Sequence, residues 1–161
     1  LGYFTSLASD FGRAAARGIE QDVYALLALN SGNGPVMTDG QTLFHATHGN
    51  IVTGAAPSVA SFDAVKVKMK QQKDHSGNDF LDLRPDIIVV GSHQSAAVDV
   101  VNDSLYDPDT ANKLQRKNTS YKTYKDIVDT ARIAGNEQYS FADPAIAAGA
   151  SHWRRCSASA A

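Results

Sequence analysis

Between Tyr3 and Leu29, apolar side chains return at intervals of three and four: Phe4, Leu7, Phe11, Ala14, Ala15, Ile19, Val23, Leu26 and Leu27. Asp10, Arg13, Arg17, Glu20 and Gln21 fill much of the other side, so the spacing predicts one amphipathic helix. Thr5 or Ser6 is placed to cap its start, and Asn30-Ser31-Gly32-Asn33-Gly34-Pro35 to stop it. Some 25 residues at about 1.5 Å each span roughly 37 Å, more than twice the average globular helix. Gly12 and Gly18 each cost about 1 kcal/mol relative to Ala in a helix interior. Their presence predicts that another backbone lies close against this helix, which reads as a strut for other elements.

Glycines at 32, 34, 40, 49 and 54 and prolines at 35 and 57 make residues 31–60 mostly loop. Val36-Met37, Leu43-Phe44 and Ile51-Val52 are candidates for brief strands within it. A second helix follows, with Ser61 as N-cap, Asp63 at its positive end, and Phe62, Val65 and Met69 as its apolar stripe. Lys66, Lys68 and Lys70 take its solvent side, and Lys73 meets its C-terminal dipole. The period then changes. Ile87-Ile88-Val89-Val90 is a short β-branched run suited to a strand buried on both faces. Gly91-Ser92 turns into a helix over 93–102, capped by Ser92, with Ala96, Ala97, Val100 and Val101 facing inward. Asp126–Thr130 and Tyr139-Ser140-Phe141 predict two more strands, and from Ala145 the pattern dissolves into alanine, glycine and serine. The class is mixed, α+β: one long helix, two shorter ones, and a small sheet centred on Ile87–Val90 and Ile127–Val128.

The 161 residues suit one domain, or one domain with an appendage, and 43 % hydrophobic content is too much for a disordered chain. A net charge of −2 argues against a dedicated nucleic-acid or anionic-membrane binder. No apolar run is long enough to span a bilayer. The single cysteine, Cys156, excludes an internal disulfide and a multi-thiolate zinc site. The chain opens at Leu1 without an initiator Met and enters a helical pattern at once, as expected of a fragment or trimmed product.

Three segments carry candidate chemistry. His45 and His48, three apart, would converge on a metal if they lay on a helix, but they sit among glycines with no third ligand nearby, which favours a loop whose imidazoles bond backbone groups. Gly91-Ser92-His93-Gln94-Ser95 occupies the strand-to-helix position of nucleophiles and phosphate loops, yet lacks the spacing of either motif, so Ser92 reads more simply as a cap. Lys113 to Lys125, interleaved with Tyr121 and Tyr124, could touch nucleic acid, but Asp107, Asp109 and Asp126 dilute it into a solvated loop. Cys156 has only Arg154 and Arg155 as activating neighbours and reads as incidental. No catalytic, cofactor-binding or metal residue is assigned, and an enzyme is not expected. The alternative is a small α/β hydrolase-like or metal-dependent enzyme using His45, His48 or Ser92.

Several stretches together carry a resemblance. They are the long helix with Phe11–Arg17 and Val23–Leu27, the run Met37-Thr38-Asp39-Gly40-Gln41-Thr42-Leu43-Phe44-His45-Ala46-Thr47-His48-Gly49-Asn50, and Ser58–Phe62 before a helix ending Met69–Lys73. Leu83-Arg84-Pro85, Tyr106-Asp107-Pro108-Asp109-Thr110 and Tyr139–Pro144 complete them. In this order they resemble the major head (capsid) subunit of Mu-like tailed phages and prophages. The resemblance implies the tailed-phage capsid fold: a spine helix, here 3–29, and an axial domain with a small mixed sheet flanked by helices. It divides the chain into 1–57 (spine helix and following loop, a peripheral-domain remnant), 58–144 (axial-like domain) and 145–161 (an atypical tail). It implies a virion protein, made in the bacterial cytoplasm, whose partner is itself in rings and shells. Packaged DNA, contacted non-specifically, is a further candidate partner, and no membrane is. The family places an arm and an extended loop before the spine helix, so a chain opening at Leu1 is expected to make weakened contacts, giving monomers or small oligomers and no closed shells.

Overall fold

The computed structural model describes residues 2–74, 76–108, 116–143 and 156–160. Helix α1 covers Gly2–Gly32, α2 Val59–Lys70 and α3 Ser95–Asp103; a single 3-10 turn occupies Ala46–His48. Strands β1 (Ile51–Thr53), β2 (Pro85–Gly91), β3 (Asp126–Thr130), β4 (Gln138–Ala142) and β5 (Cys156–Ala160) form one sheet in the order β1-β5-β4-β2-β3. β2 runs parallel to β3, with Ile88 opposite Ile127, and antiparallel to β4, with Val89 opposite Tyr139. The fold is therefore α+β, with the mixed sheet that the resemblance implies.

β2 is buried on both faces, and its alternation sorts the core into two halves. Ile88 and Val90 point to the side covered by α2 and α3, where they meet Phe62, Val98, Val101 and Tyr124. Val89 points to the other side and packs with Phe44, Ile133 and Tyr139; the partly buried Tyr24 and Leu27 of α1 close over them. A third cluster, Val65, Met69, Leu83 and Ala142, holds α2 down beside Val52 of β1. Burial pushes the Tyr124 phenol up to about 12, and its hydroxyl meets Ser140 Oγ at 2.8 Å across the sheet.

Helix α1 stands apart from this body. Side chains from Leu7 to Val23 are all exposed; among the described residues the body is met first by Glu20, which pairs with Arg132, and apolar packing begins only at Tyr24 and Leu27. The helix breaks at Leu29 (ψ 150°), after which Asn30 and Ser31 take left-handed geometry and Gly34 N closes the turn on Leu29 O at 3.0 Å. Gly32 follows at φ +83° with the Glu137 and Tyr139 side chains against it, a position suited only to glycine. Thr5 and Ser6 lie inside α1, which starts at Gly2, so neither caps it. The close backbone expected beside Gly12 and Gly18 is also missing: a Cβ at either would meet nothing within 4 Å. Gly12→Ala and Gly18→Ala should accordingly each favour the helix by about 1 kcal/mol. Slower amide exchange across residues 7–22 checks this.

Further expectations are corrected. The N-cap of α2 is Ser58, three residues before Ser61. Ser58 Oγ accepts from Ser61 N (3.1 Å) and Ser61 Oγ from Ser58 N (2.9 Å), a reciprocal box in which Ser61 is the far partner. Ser92 does not cap α3. Its N–H donates to Thr130 O at 3.1 Å, and Gln94 occupies the cap position without a side-chain bond. The inward face of α3 is Val98, Val101 and Asn102, whereas Ala96, Ala97 and Val100 are exposed. Of the three brief strands foreseen in 31–60, Ile51–Thr53 forms and Val36 makes only an isolated bridge to Thr42. In the segment where the pattern dissolves, β5 pairs antiparallel with β4 and parallel with β1.

Candidate interaction surfaces

His45 and His48 come within 6.1 Å of each other, ring centre to ring centre, but local structure occupies both. His45 caps the 3-10 turn: its Nδ1 accepts from Thr47 N at 3.3 Å and contacts Thr47 Oγ1 at 2.8 Å. His48 places Nδ1 3.1 Å from Leu43 O and Nε2 2.7 Å from Asp39 Oδ2. The hydrogen bond to His48, helped by one from Gln41 N, holds the Asp39 carboxyl below the usual carboxylate range. Buried Asn50 completes the loop, donating to Leu43 O (2.8 Å) and accepting from His45 N (2.9 Å). Gln72 Nε2 then ties Gly49 O to the end of α2. The pair is a loop staple. No cluster of three or more His, Cys, Asp or Glu side chains converges among the described residues.

The strand-to-helix segment follows directly on β2. Ser92 and His93 are exposed, and a Cβ on Gly91 would lie 2.6 Å from Ile133 O and 2.7 Å from His93 Cε1, so glycine there serves close packing. Lys113, with the rest of 109–115, lies outside the described residues, as does the Cys156 side chain. Within the remaining basic segment, Lys122 pairs with Asp103 (2.7 Å) and Lys125 with Asp86 (2.6 Å) and Asp143 (3.5 Å). Those carboxylates answer the positive charge that suggested nucleic acid.

Two surface features stand outside these local roles. The first is an apolar stripe on α1, where Phe11 and Ile19 are each 68 % exposed and Val23 and Leu26 are each 51 % exposed. No described part of the chain covers it. The second is a cleft of about 280 Å³ between α2, the start of β2 and the 119–123 connection, lined by Lys66, Lys70, Arg84, Pro85, Thr119 and Thr123. Beside it, Asp63 receives hydrogen bonds from the lining Lys66 and Thr119 (Oγ1, 2.7 Å) and from Ser120 Oγ (2.9 Å). Lys70 and Arg84 are exposed and have no ion-pair partner among the described residues. The Lys66–Lys70 spacing is one helical turn and readable in sequence; the arrival of Arg84, fourteen residues on, is not.

Burial pushes the Asp63 carboxyl up, but its bonds from Lys66, Thr119 and Ser120 outweigh that and leave it below 3.8. A depressed folded-state value means that its contribution to stability is complete above pH 3.8 and is lost as pH falls through the folded value. Asp63→Asn should therefore flatten the acid limb of stability against pH, measured as urea midpoints from pH 5 downward.

A family model for phage capsid proteins matches residues 1–155 of the chain. Neither a curated protein nor a solved structure matches it. Among the described residues no helix is long and apolar enough to cross a membrane.

Proposed function

This chain belongs to the phage capsid protein family, and from that membership we propose that it is the major head subunit of a Mu-like tailed phage or prophage, or a fragment of that subunit, which self-assembles into a shell around DNA. Its role is structural and its place is the virion capsid, reached from the bacterial cytoplasm. The proposal takes α1 as the spine helix of the tailed-phage capsid fold and the α2–β4 body as the axial domain, divided at 57/58 and 144/145.

The observation that carries this reading is α1 itself. A helix that, among the described residues, joins its own body only from Glu20 onward, and leaves Phe11, Ile19, Val23 and Leu26 to solvent, is organised for contacts outside the chain. The hydrolase-like or metal-dependent alternative gains nothing comparable, because His45 and His48 serve their loop and Ser92 bonds through its backbone. Light scattering after size exclusion, over a hundredfold range of concentration, tests the reading. Mass should rise with concentration, and replacing Phe11 and Ile19 with Ser should lower it. A chain that stays monomeric throughout shows that α1 carries no self-association and removes this support for the proposal.

A further inference from the structure

Two clefts of different charge flank one connection of the body, the first lined by cations and the second by both signs. On one side of residues 119–125 lies the cleft lined by Lys66, Lys70 and Arg84; beside it, Asp63 is already satisfied by three donors. On the other side, between α3 and the start of β3, lies a second cleft lined by Asp99, Asn102, Asp103, Lys122, Tyr124, Lys125 and Ile127. Lys122 answers Asp103 there, and Lys125 is engaged with Asp86 and Asp143. Asp99 is exposed and has no ion-pair partner among the described residues. Asp129 shares this condition. It lies two residues beyond Ile127 on edge strand β3 and so faces the side that α3 covers.

We propose that the Lys66–Lys70–Arg84 cleft of one copy receives the Asp99 and Asp129 flank of a second copy. The inference rests on the capsid-subunit reading and names the surface through which the bodies meet. Charge complementarity selects this occupant over a polyanion, since the chain as a whole carries −2 and its uncompensated cations face a matching set of uncompensated carboxylates. The two flanks are different surfaces of the same chain, so the contact is head-to-tail, the kind that closes into rings or runs on as filaments. Arg84 supplies a planar fork suited to a carboxylate, and Lys70 a point charge beside it. Exposed pairs of this kind are screened within about 8–10 Å at ordinary ionic strength, so the contact weakens with salt.

Charge reversal on each flank tests it. Lys70→Glu with Arg84→Glu makes one variant, and Asp99→Lys with Asp129→Lys the other. Each alone should run at the monomer mass at a concentration where the wild-type chain associates. An equimolar mixture should recover association, because every reversed cleft then meets a reversed flank. Far-UV circular dichroism checks folding. If a reversal unfolds the chain, the neutral pair Lys70→Gln/Arg84→Gln replaces it and should lower the mass part of the way. Variants that associate like the wild type overturn this surface and leave the capsid reading standing, whereas a wild-type chain monomeric even at low salt overturns both. A mixture that fails to recover overturns the pairing. Loss of retention on duplex DNA by the Lys70/Arg84 variant, with association unchanged, gives the cleft to phosphodiesters and overturns it too.

Discussion

Phe62→Ala should lower the free energy of unfolding by about 3–5 kcal/mol. Phe62 is 1 % exposed and stands edge-on to Tyr124, ring centres 5.0 Å apart and planes at 90°. It is the side chain through which α2 reaches Ile88 and Val90 of β2 and Val98 and Val101 of α3. Those four neighbours are β-branched and stiff at χ1, so they cannot swing in to fill the space the ring leaves. The cost is then lost burial plus a persisting cavity, a large part of the roughly 5–15 kcal/mol that holds a domain together. Ile88→Ala, from the centre of the same cluster, should cost about 2–5 kcal/mol. Urea denaturation reads both as midpoint shifts at unchanged slope. An unshifted midpoint for Phe62→Ala would mean that α2 does not hold the sheet.

Asn118→Ala should be nearly as damaging, by a different route. Asn118 is 2 % exposed, and its amide replaces secondary structure where the chain returns from α3: Nδ2 donates to Val101 O (2.6 Å) and Ser104 O (2.8 Å), and Oδ1 accepts from Ser120 N (2.8 Å). Truncation leaves three backbone groups without that partner, each worth about 1–3 kcal/mol when unsatisfied, though the losses do not simply add. A total of about 3 kcal/mol is expected. Asn118→Asp should be worse at neutral pH despite its near-identical shape, because an ionised carboxylate would face two carbonyl oxygens and bring a charge into a buried site. Thermal unfolding of the two variants gives the order. Equal stability of Asn118→Asp and wild type would show that the donors are dispensable.

Much of the architecture is legible along the chain, and the parts that are not have physical reasons. Phe62, Val65 and Met69 repeat at helical spacing and are buried, and Ile87–Val90 forms an interior strand because an unbroken β-branched run has apolar neighbours on both faces. The phase of α3 is harder to read. Ala96, Ala97 and Val100 are as apolar as the inward residues, and what turns Asn102 to the core is its pair of bonds with Tyr124 (Nδ2 to O at 3.1 Å, N to Oδ1 at 3.0 Å), made across 22 residues. β5 is written Cys-Ser-Ala-Ser-Ala, without a β-branched or aromatic residue. Its place follows from backbone pairing with β4 and β1, which side-chain patterning does not record. At the surface, the histidine spacing drew attention to a loop staple, while the cationic cleft needed three separate segments to meet before it existed.

Helix α1 has a mechanical consequence. Its direction is set at one end only, by Tyr24 and Leu27 against the Phe44–Tyr139 cluster, by Arg132 bonding Glu20 at 3.1 Å and lying 6.0 Å over the Tyr24 ring, and by Tyr139 Oη reaching Leu27 O at 3.4 Å. Beyond Glu20 the rod runs on for some 18 residues, or roughly 27 Å at 1.5 Å per residue. Over that length a tilt of about ten degrees at the bearing carries the tip through roughly 5 Å, one full helical pitch. A shift at Arg132 or Tyr139 too small to disturb the core would thus move Phe11, half-way along the rod, by roughly 2.4 Å. The angle between body and helix is the cheapest variable in the molecule, and a surface that must bend by different amounts in different places would draw on it first.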